Sequence, residues 1–251
     1  MDYTYHLDLA IKAAKNATDA ILDVYNNEDF EVEVKSDNSP LTIADRKSHN
    51  VISQVLRESK LPILSEEGKN IPYKERSEWD FFWMIDPIDG TKEFVKRNDE
   101  FTVNIALIRR DTPVLGVVMV PVTEDIYWAV SGQGAFKNGQ KIEASKINLS
   151  KKGVKVVASR SHLNSETEEF VRSLNQPKIV SKGSSLKILM VAEGDADIYP
   201  RFAPTMEWDT AAAHVIANEA GAVVMNATSN KELHYNKKDL RNDFFIVQGK
   251  Y

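Results

Sequence analysis

Across residues 7–25 the apolar positions Leu9, Ala10, Ala13, Ala14, Ala17, Ala20, Ile21 and Val24 recur at three- and four-residue spacing, which predicts an amphipathic helix. Phe30, Val32 and Val34 then alternate with Glu31, Glu33 and Lys35, the pattern of a strand with one face in water. A turn over 36–40 follows. Thr42 or Asp45 starts a second helix whose buried side carries Val51, Ile52, Val55 and Leu56. Two short apolar runs, 63–64 and 81–85, each end in acidic residues. Strand-like runs over 102–108, 114–120 and 126–130 follow one another closely, as in an antiparallel sheet, and Asn138-Gly139 marks a hairpin turn.

After residue 150 strands alternate with helices. The periodicity predicts strands at 154–158, 179–180 and 198–199, helices at 166–174, 184–193 and 208–220, and closing strands at 222–225 and 244–247, with Gly221 stopping the last helix. The pattern is that of a mixed α+β chain, layered helices and sheets in two lobes joined near residues 132–152. The most apolar run, 113–122, is about half of the roughly 20 residues that span a bilayer and reads as a buried strand. Residues 1–6 hold Asp2 and no apolar core, so no signal peptide is read there and a cytoplasmic protein is expected, free or peripheral on a membrane surface.

Composition narrows the chemistry. The 251 residues include 32 Lys+Arg, 37 Asp+Glu and no cysteine, for a formal charge of −5. Without thiols there is no disulfide, thiolate zinc site, iron–sulfur cluster or cysteine nucleophile. A net-acidic chain with interspersed signs also lacks the basic footprint that binds a nucleic-acid polymer.

Four carboxylates stand where the backbone changes direction, and oxygen-only sets of this kind suit hard cations such as magnesium. Glu66 follows the strand at 63–64. In Asp86-Pro87-Ile88-Asp89-Gly90-Thr91, Pro87 fixes φ and Gly90 permits a conformation other residues resist, so a loop can turn Asp86, Asp89 and the Ile88 carbonyl toward one point. The amides of Gly90 and Thr91 are then free to meet a phosphate. Asp209 lies in the first turn of an alanine-rich helix. Taken singly, each piece has an ordinary reading: a solvated Asp-Pro-x-Asp-Gly turn, a helix cap at Asp209, a dipole-facing carboxylate at Asp45, a solvated His162 and an exposed Lys187.

Taken in order, Leu64-Ser65-Glu66-Glu67, Asp86-Pro87-Ile88-Asp89-Gly90-Thr91 and Trp208-Asp209-Thr210-Ala211-Ala212 resemble the signatures of the inositol monophosphatase family of metal-dependent phosphatases. Thr42-Ile43-Ala44-Asp45 and Gly134-Ala135-Phe136 fall in register with them, so the match runs over nearly the whole chain. Lys92-Glu93-Phe94, Glu100-Phe101-Thr102-Val103-Asn104, Ala158-Ser159-Arg160-Ser161-His162, Gly183-Ser184-Ser185-Leu186-Lys187 and Tyr199-Pro200-Arg201 look like the 3′(2′),5′-bisphosphate nucleotidase branch. Phe202 stands about where inositol phosphatases carry the glutamate that holds the inositol ring.

The resemblance implies one domain of layered α-β-α-β-α architecture, with lobes at about 1–145 and 146–251. It implies two or three magnesium ions, Glu66, Asp86 and the Ile88 carbonyl holding one and Asp86, Asp89 and Asp209 another. Gly90 and Thr91 would contact the scissile phosphate, and Asp45 with Thr91 and Glu66 would orient and deprotonate the attacking water. Ser159, His162, Gly183 and Lys187 would line the nucleotide pocket. The substrate phosphate lies against Glu66, Ile88, Asp89, Gly90, Thr91 and Asp209 in this scheme. Arg160, Lys187 and Arg201 form a set suited to a second phosphate. The implied reaction is hydrolysis of adenosine 3′,5′-bisphosphate to AMP and phosphate, serving sulfate assimilation and inhibited by lithium. An inositol or sugar-phosphate phosphatase and a non-catalytic nucleotide-binding protein are the alternatives, and monomer and homodimer both stay open.

Overall fold

The first helix, α1 (Tyr3–Tyr25), begins at Asp2, whose carboxylate accepts from the amides of Thr4 and Tyr5; its small buried positions Ala10, Ala13, Ala14 and Ala17 let it lie close to its neighbours. A computed structural model describes residues 2–26, 32–34, 40–159 and 164–250. Phe30, Glu31 and Lys35 of the first expected strand, and most of the turn after it, lie outside the described residues. Strand β1 (Val32–Val34) pairs antiparallel with β2 (Pro40–Thr42). Then α2 (Ile43–Leu56) packs against α1.

A seven-stranded sheet follows, built from β3 (Ile63–Ser65), β4 (Phe81–Asp89), β5 (Thr102–Arg109), β6 (Thr112–Val120), β7 (Asp125–Val130), β8 (Ala135–Lys137) and β9 (Gln140–Ile142) in sequential order. All pairs are antiparallel except β3 with β4. Short helices α3 (Tyr73–Arg76) and α4 (Thr91–Val95) flank β4. Alternate residues of the central strands enter two different cores. Phe82, Met84, Ala106 and Val118 face one; Trp83, Ile85, Ile105 and Val117 face the other, with α1 and α2. Burial on both faces explains why these strands read as continuous apolar runs rather than as an alternation.

The second sheet has the order β11-β10-β12-β14-β13, from β10 (Lys155–Ser159), β11 (Lys178–Lys182), β12 (Ile198–Arg201), β13 (Ala222–Asn226) and β14 (Phe245–Gly249). Helix α5 (Ser165–Arg172) packs on β12, while α6 (Leu186–Ala192) and α7 (Glu207–Glu219) lie between the sheets, α7 against β5, β6 and β13. This gives the expected α-β-α-β-α layering. Close approach of α7 depends on a glycine, since a Cβ at Gly116 on β6 would stand 2.2 Å from the Ala212 carbonyl oxygen.

Most element ends shift by a few residues from the sequence reading, α1 starting at Tyr3 and Pro40 of the expected turn opening β2, and two of the shifts bear on the site. β4 does not stop at Ile85 but runs through Asp89, with a register shift between Asp86 and Asp89, so the acidic motif is an irregular, buried strand end rather than a free loop. α6 starts at Leu186 instead of 184 because Ser184 holds φ +54°, a left-handed conformation that cannot belong to an α-helix.

Candidate active site

Two of the expected acidic residues are helix N3 positions that also face the site. Thr42 caps α2, and its amide and hydroxyl both donate to Asp45 Oδ2, at 2.8 and 2.6 Å. The other oxygen, Oδ1, accepts from the Thr91 hydroxyl at 3.1 Å. At the head of α7, Asp209 Oδ2 accepts from the Met206 amide at 2.9 Å. The cap and the functional reading therefore hold together: the helix end fixes one carboxylate oxygen and leaves the other for the site.

Glu66, Asp86 and Asp209 each offer a carboxylate oxygen within 4.8 Å of the other two. Asp86 is buried, and its Oδ1 accepts from the Ile88 amide at 3.1 Å. Burial first, and then the charges of Glu66, Asp89 and Asp209, push the Asp86 carboxyl well above its ordinary range. Asp209 is raised by burial and by Asp89 and Glu66. Oxygen donors crowded at the cost of mutual repulsion are the donor set that a hard divalent cation relieves, so the residues present fit magnesium.

Asp89 lines the same cavity, with Oδ2 taken by the Ser184 hydroxyl at 2.9 Å and the Ser185 amide at 2.5 Å. The Thr91 hydroxyl also reaches the Ile88 carbonyl, at 3.3 Å. Gly90 turns the chain into α4 at φ +95°. Close by, the Gly183 amide donates to Glu100 Oε2 at 2.8 Å, and a Cβ on Gly183 would meet the Glu100 carbonyl oxygen at 2.9 Å. The motif glycine is thus required by a close approach of backbones.

A cavity of about 320 Å³ runs from Glu66, Asp86 and Asp209 past Asp89, Gly90, Thr91 and Gly183 to Lys187, Tyr199 and Arg201; Asp45 does not line it and reaches it through the Thr91 hydroxyl. Lys187 is 6% exposed, not on an open helix face. Its ammonium donates to the Ser184 carbonyl at 2.5 Å and sits 5.6 Å from the Tyr199 ring centre, and burial pushes it down to about 8. Arg201 donates through Nη2 to the Pro204 carbonyl at 3.0 Å. Phe202 packs on Phe170 and Phe244. Arg160 and His162, and the side chain of Ser159, lie outside the described residues. Sequence reasoning missed the grip of Ser184 and Ser185 on Asp89. The Gly-Ser-Ser run was visible, but its partner lies 95 residues away and no spacing rule reaches that far.

The family model described as the inositol monophosphatase family matches residues 2–248. The chain is 44% identical over 236 residues to the protein named 3′(2′),5′-bisphosphate nucleotidase CysQ of Escherichia coli (strain K12), covering 93% of this chain and 95% of the relative. It is 35% identical to the protein of that name from Haemophilus influenzae, over 87% of this chain and 83% of the relative. The crystal structure of CysQ from Bacteroides thetaiotaomicron superposes with a TM-score of 0.88 at 46% identity, covering 100% of this chain and 99% of that one. A Thermotoga maritima IMPase gives a TM-score of 0.80 at 28% identity, over 97% and 91%. The carboxylate cluster, its helix caps and these likenesses agree: the chain belongs to the inositol monophosphatase family of metal-dependent phosphatases.

Proposed function

We propose that this protein is a magnesium-dependent 3′(2′),5′-bisphosphate nucleotidase that removes the 3′-phosphate of adenosine 3′,5′-bisphosphate to give AMP and phosphate. The observation that carries the reading is the polarity of one cavity, with Glu66, Asp86 and Asp209 at one end and Lys187 and Arg201 at the other. A substrate with two phosphates needs both ends, one for the phosphate being cleaved and one for the phosphate being kept. The names of the relatives at 44% identity support the same substrate. We read the chain as one catalytic unit with lobes at about 1–145 and 146–251, acting in the cytoplasm.

Glu66, Asp86 and the Ile88 carbonyl would hold one magnesium and Asp86, Asp89 and Asp209 a second. Magnesium bound there supplies charge neutralisation at the phosphoryl group, acidification of water and help for the departing alkoxide. Asp45 and Thr91 form the proton path. Asp45 Oδ2 is filled by Thr42, which leaves Oδ1 to accept the Thr91 proton while the Thr91 oxygen accepts one from the attacking water. The water oxygen bonds to phosphorus as the P–O3′ bond breaks, and the alkoxide takes a proton from solvent. Burial raises Asp45 above its ordinary range, which suits a carboxylate that must take up a proton for one step.

Phosphate release from adenosine 3′,5′-bisphosphate and from inositol 1-phosphate, measured with magnesium on the purified protein, tests the reading. The nucleotide is expected to be strongly preferred, and Asp45→Asn to lower kcat by about 10²-fold or more with little change in KM. Preference for inositol phosphate would overturn the substrate, and binding without turnover would overturn the enzyme.

A further inference from the structure

Two charged side chains that the reaction does not use are among the most deeply covered in the molecule: Glu207 is 0% exposed and Arg76 3%. They meet through the segment 236–237. Arg76 donates through Nη1 to Asn236 Oδ1 at 2.7 Å, through both terminal nitrogens to the Lys237 carbonyl at 3.3 and 3.2 Å, and through Nε to the Ile71 carbonyl at 3.1 Å. Asn236 Nδ2 returns a bond to the Arg76 carbonyl at 2.9 Å. On the other side, the amides of Asn236 and Lys237 donate to the Glu207 carboxylate at 2.5 and 3.0 Å, and Lys237 Nζ donates at 2.6 Å.

Taking a guanidinium and a carboxylate out of water is costly, and apolar residues of similar volume stabilise a core as well or better. Stability alone does not account for this arrangement. Its placement does. Ile71 and Arg76 lie on the segment that leaves β3 through Glu66, whereas Glu207 opens α7 two residues before Asp209. The chain that continues from 236–237 to residue 242 also holds that helix end, through the Glu207 amide on the Leu240 carbonyl at 2.9 Å and Asn242 Nδ2 on the Met206 carbonyl at 2.8 Å. Glu66 and Asp209 repel one another without a cation, so something other than their own contact must hold their two walls at the separation a cation needs.

The geometry points to Arg76, Asn236 and Glu207 as positioning residues that fix the Asp209 carboxylate relative to Glu66 and so set the affinity of the cluster for a divalent cation. Groups that orient ligating side chains typically change metal affinity about 10–100-fold when removed. The inference rests on the metal assignment made above.

Calorimetric titration of the metal-free full-length protein with magnesium alone tests it. Asn236→Ala and Arg76→Lys are each expected to raise the dissociation constant about tenfold or more. Ile147→Ala, a cavity variant in the small core around Val156 and Ile198, is expected to lower Tm without moving that constant. An unchanged constant in folded Asn236→Ala would overturn the inference, and so would equal weakening by Ile147→Ala. If Asn236→Ala fails to fold, Arg76→Lys, which keeps the charge and most of the stem, decides alone. Absence of magnesium binding by the unmodified protein would defeat the metal assignment itself, an outcome distinct from normal binding that the variants leave unchanged.

Discussion

Lys187 shows what a single position hides from sequence reasoning. By spacing it stands on a helix face, where a lysine is ordinarily solvated; in the fold it is buried at the basic end of the cavity, and desolvation brings it from 10.5 down to about 8 against the opposing pull of Asp89. The consequence for stability has a definite sign. Below about pH 8 the ammonium is charged in both folded and unfolded chains, whereas between about 8 and 10.5 the unfolded chain binds more protons, so this group makes stability rise with pH across that window. Measured on metal-free protein, the denaturant midpoint of the unmodified chain should rise relative to that of Lys187→Met between the two ends of the window. The same variant should lower kcat/KM for the bisphosphate about tenfold or more through loss of a charged hydrogen bond. An identical pH slope in both proteins would count against the buried cation. Asp45 and Asp209 are the opposite case. Each was legible because one residue does two jobs, and the capping pattern that marks a helix start also marks the carboxylate that faces the site.

At the scale of elements, periodicity located the long helices and most strands, gave no sign of the short α3, α4 and β2, and misjudged ends where tertiary contacts decide them. β4 continues through Asp89 because β5 pairs with it on both sides of the shift, at Asp86↔Asn104 and Asp89↔Thr102. The start of α6 is set by Ser184, whose hydroxyl is drawn to Asp89, and no local signal announces that. The brace from Arg76 to Asn236 spans 160 residues and is equally silent in sequence. Gly116 lies inside the apolar run 113–122 with no local signal of its role, yet it is where α7 comes to rest on the sheet. With Ala212 backbone 2.2 Å and the Val215 side chain 2.5 Å from an added Cβ, Gly116→Ala must displace the helix or the strand. It should cost about 1–3 kcal/mol by overpacking, seen as a lower denaturant midpoint at unchanged slope. A variant as stable as the parent would show that α7 is not seated by this contact.

For the molecule as a whole, the charge of −5 takes its meaning from where the carboxylates lie. The fold brings Glu66 from the turn after β3, Asp86 from β4 and Asp209 from α7 to one point, which stores repulsion in the metal-free protein and makes folding and metal binding one linked equilibrium. Asp86→Asn separates the two halves of that linkage. The amide keeps the shape and discards a charge that burial and three neighbouring carboxylates disfavour. In chelator the variant should therefore be at least as stable as the unmodified protein. With magnesium at a hundred times its dissociation constant, the unmodified protein should gain about 2.7 kcal/mol, read as a rise in Tm, while the variant gains little and turns over no substrate. Were Asp86→Asn less stable in chelator and equally stabilised by magnesium, Asp86 would be an ordinary core hydrogen-bonding group and the cation would sit elsewhere. If the two proteins instead cross in stability as magnesium is added, the repulsion that destabilises the empty site is the same interaction that binds the cation.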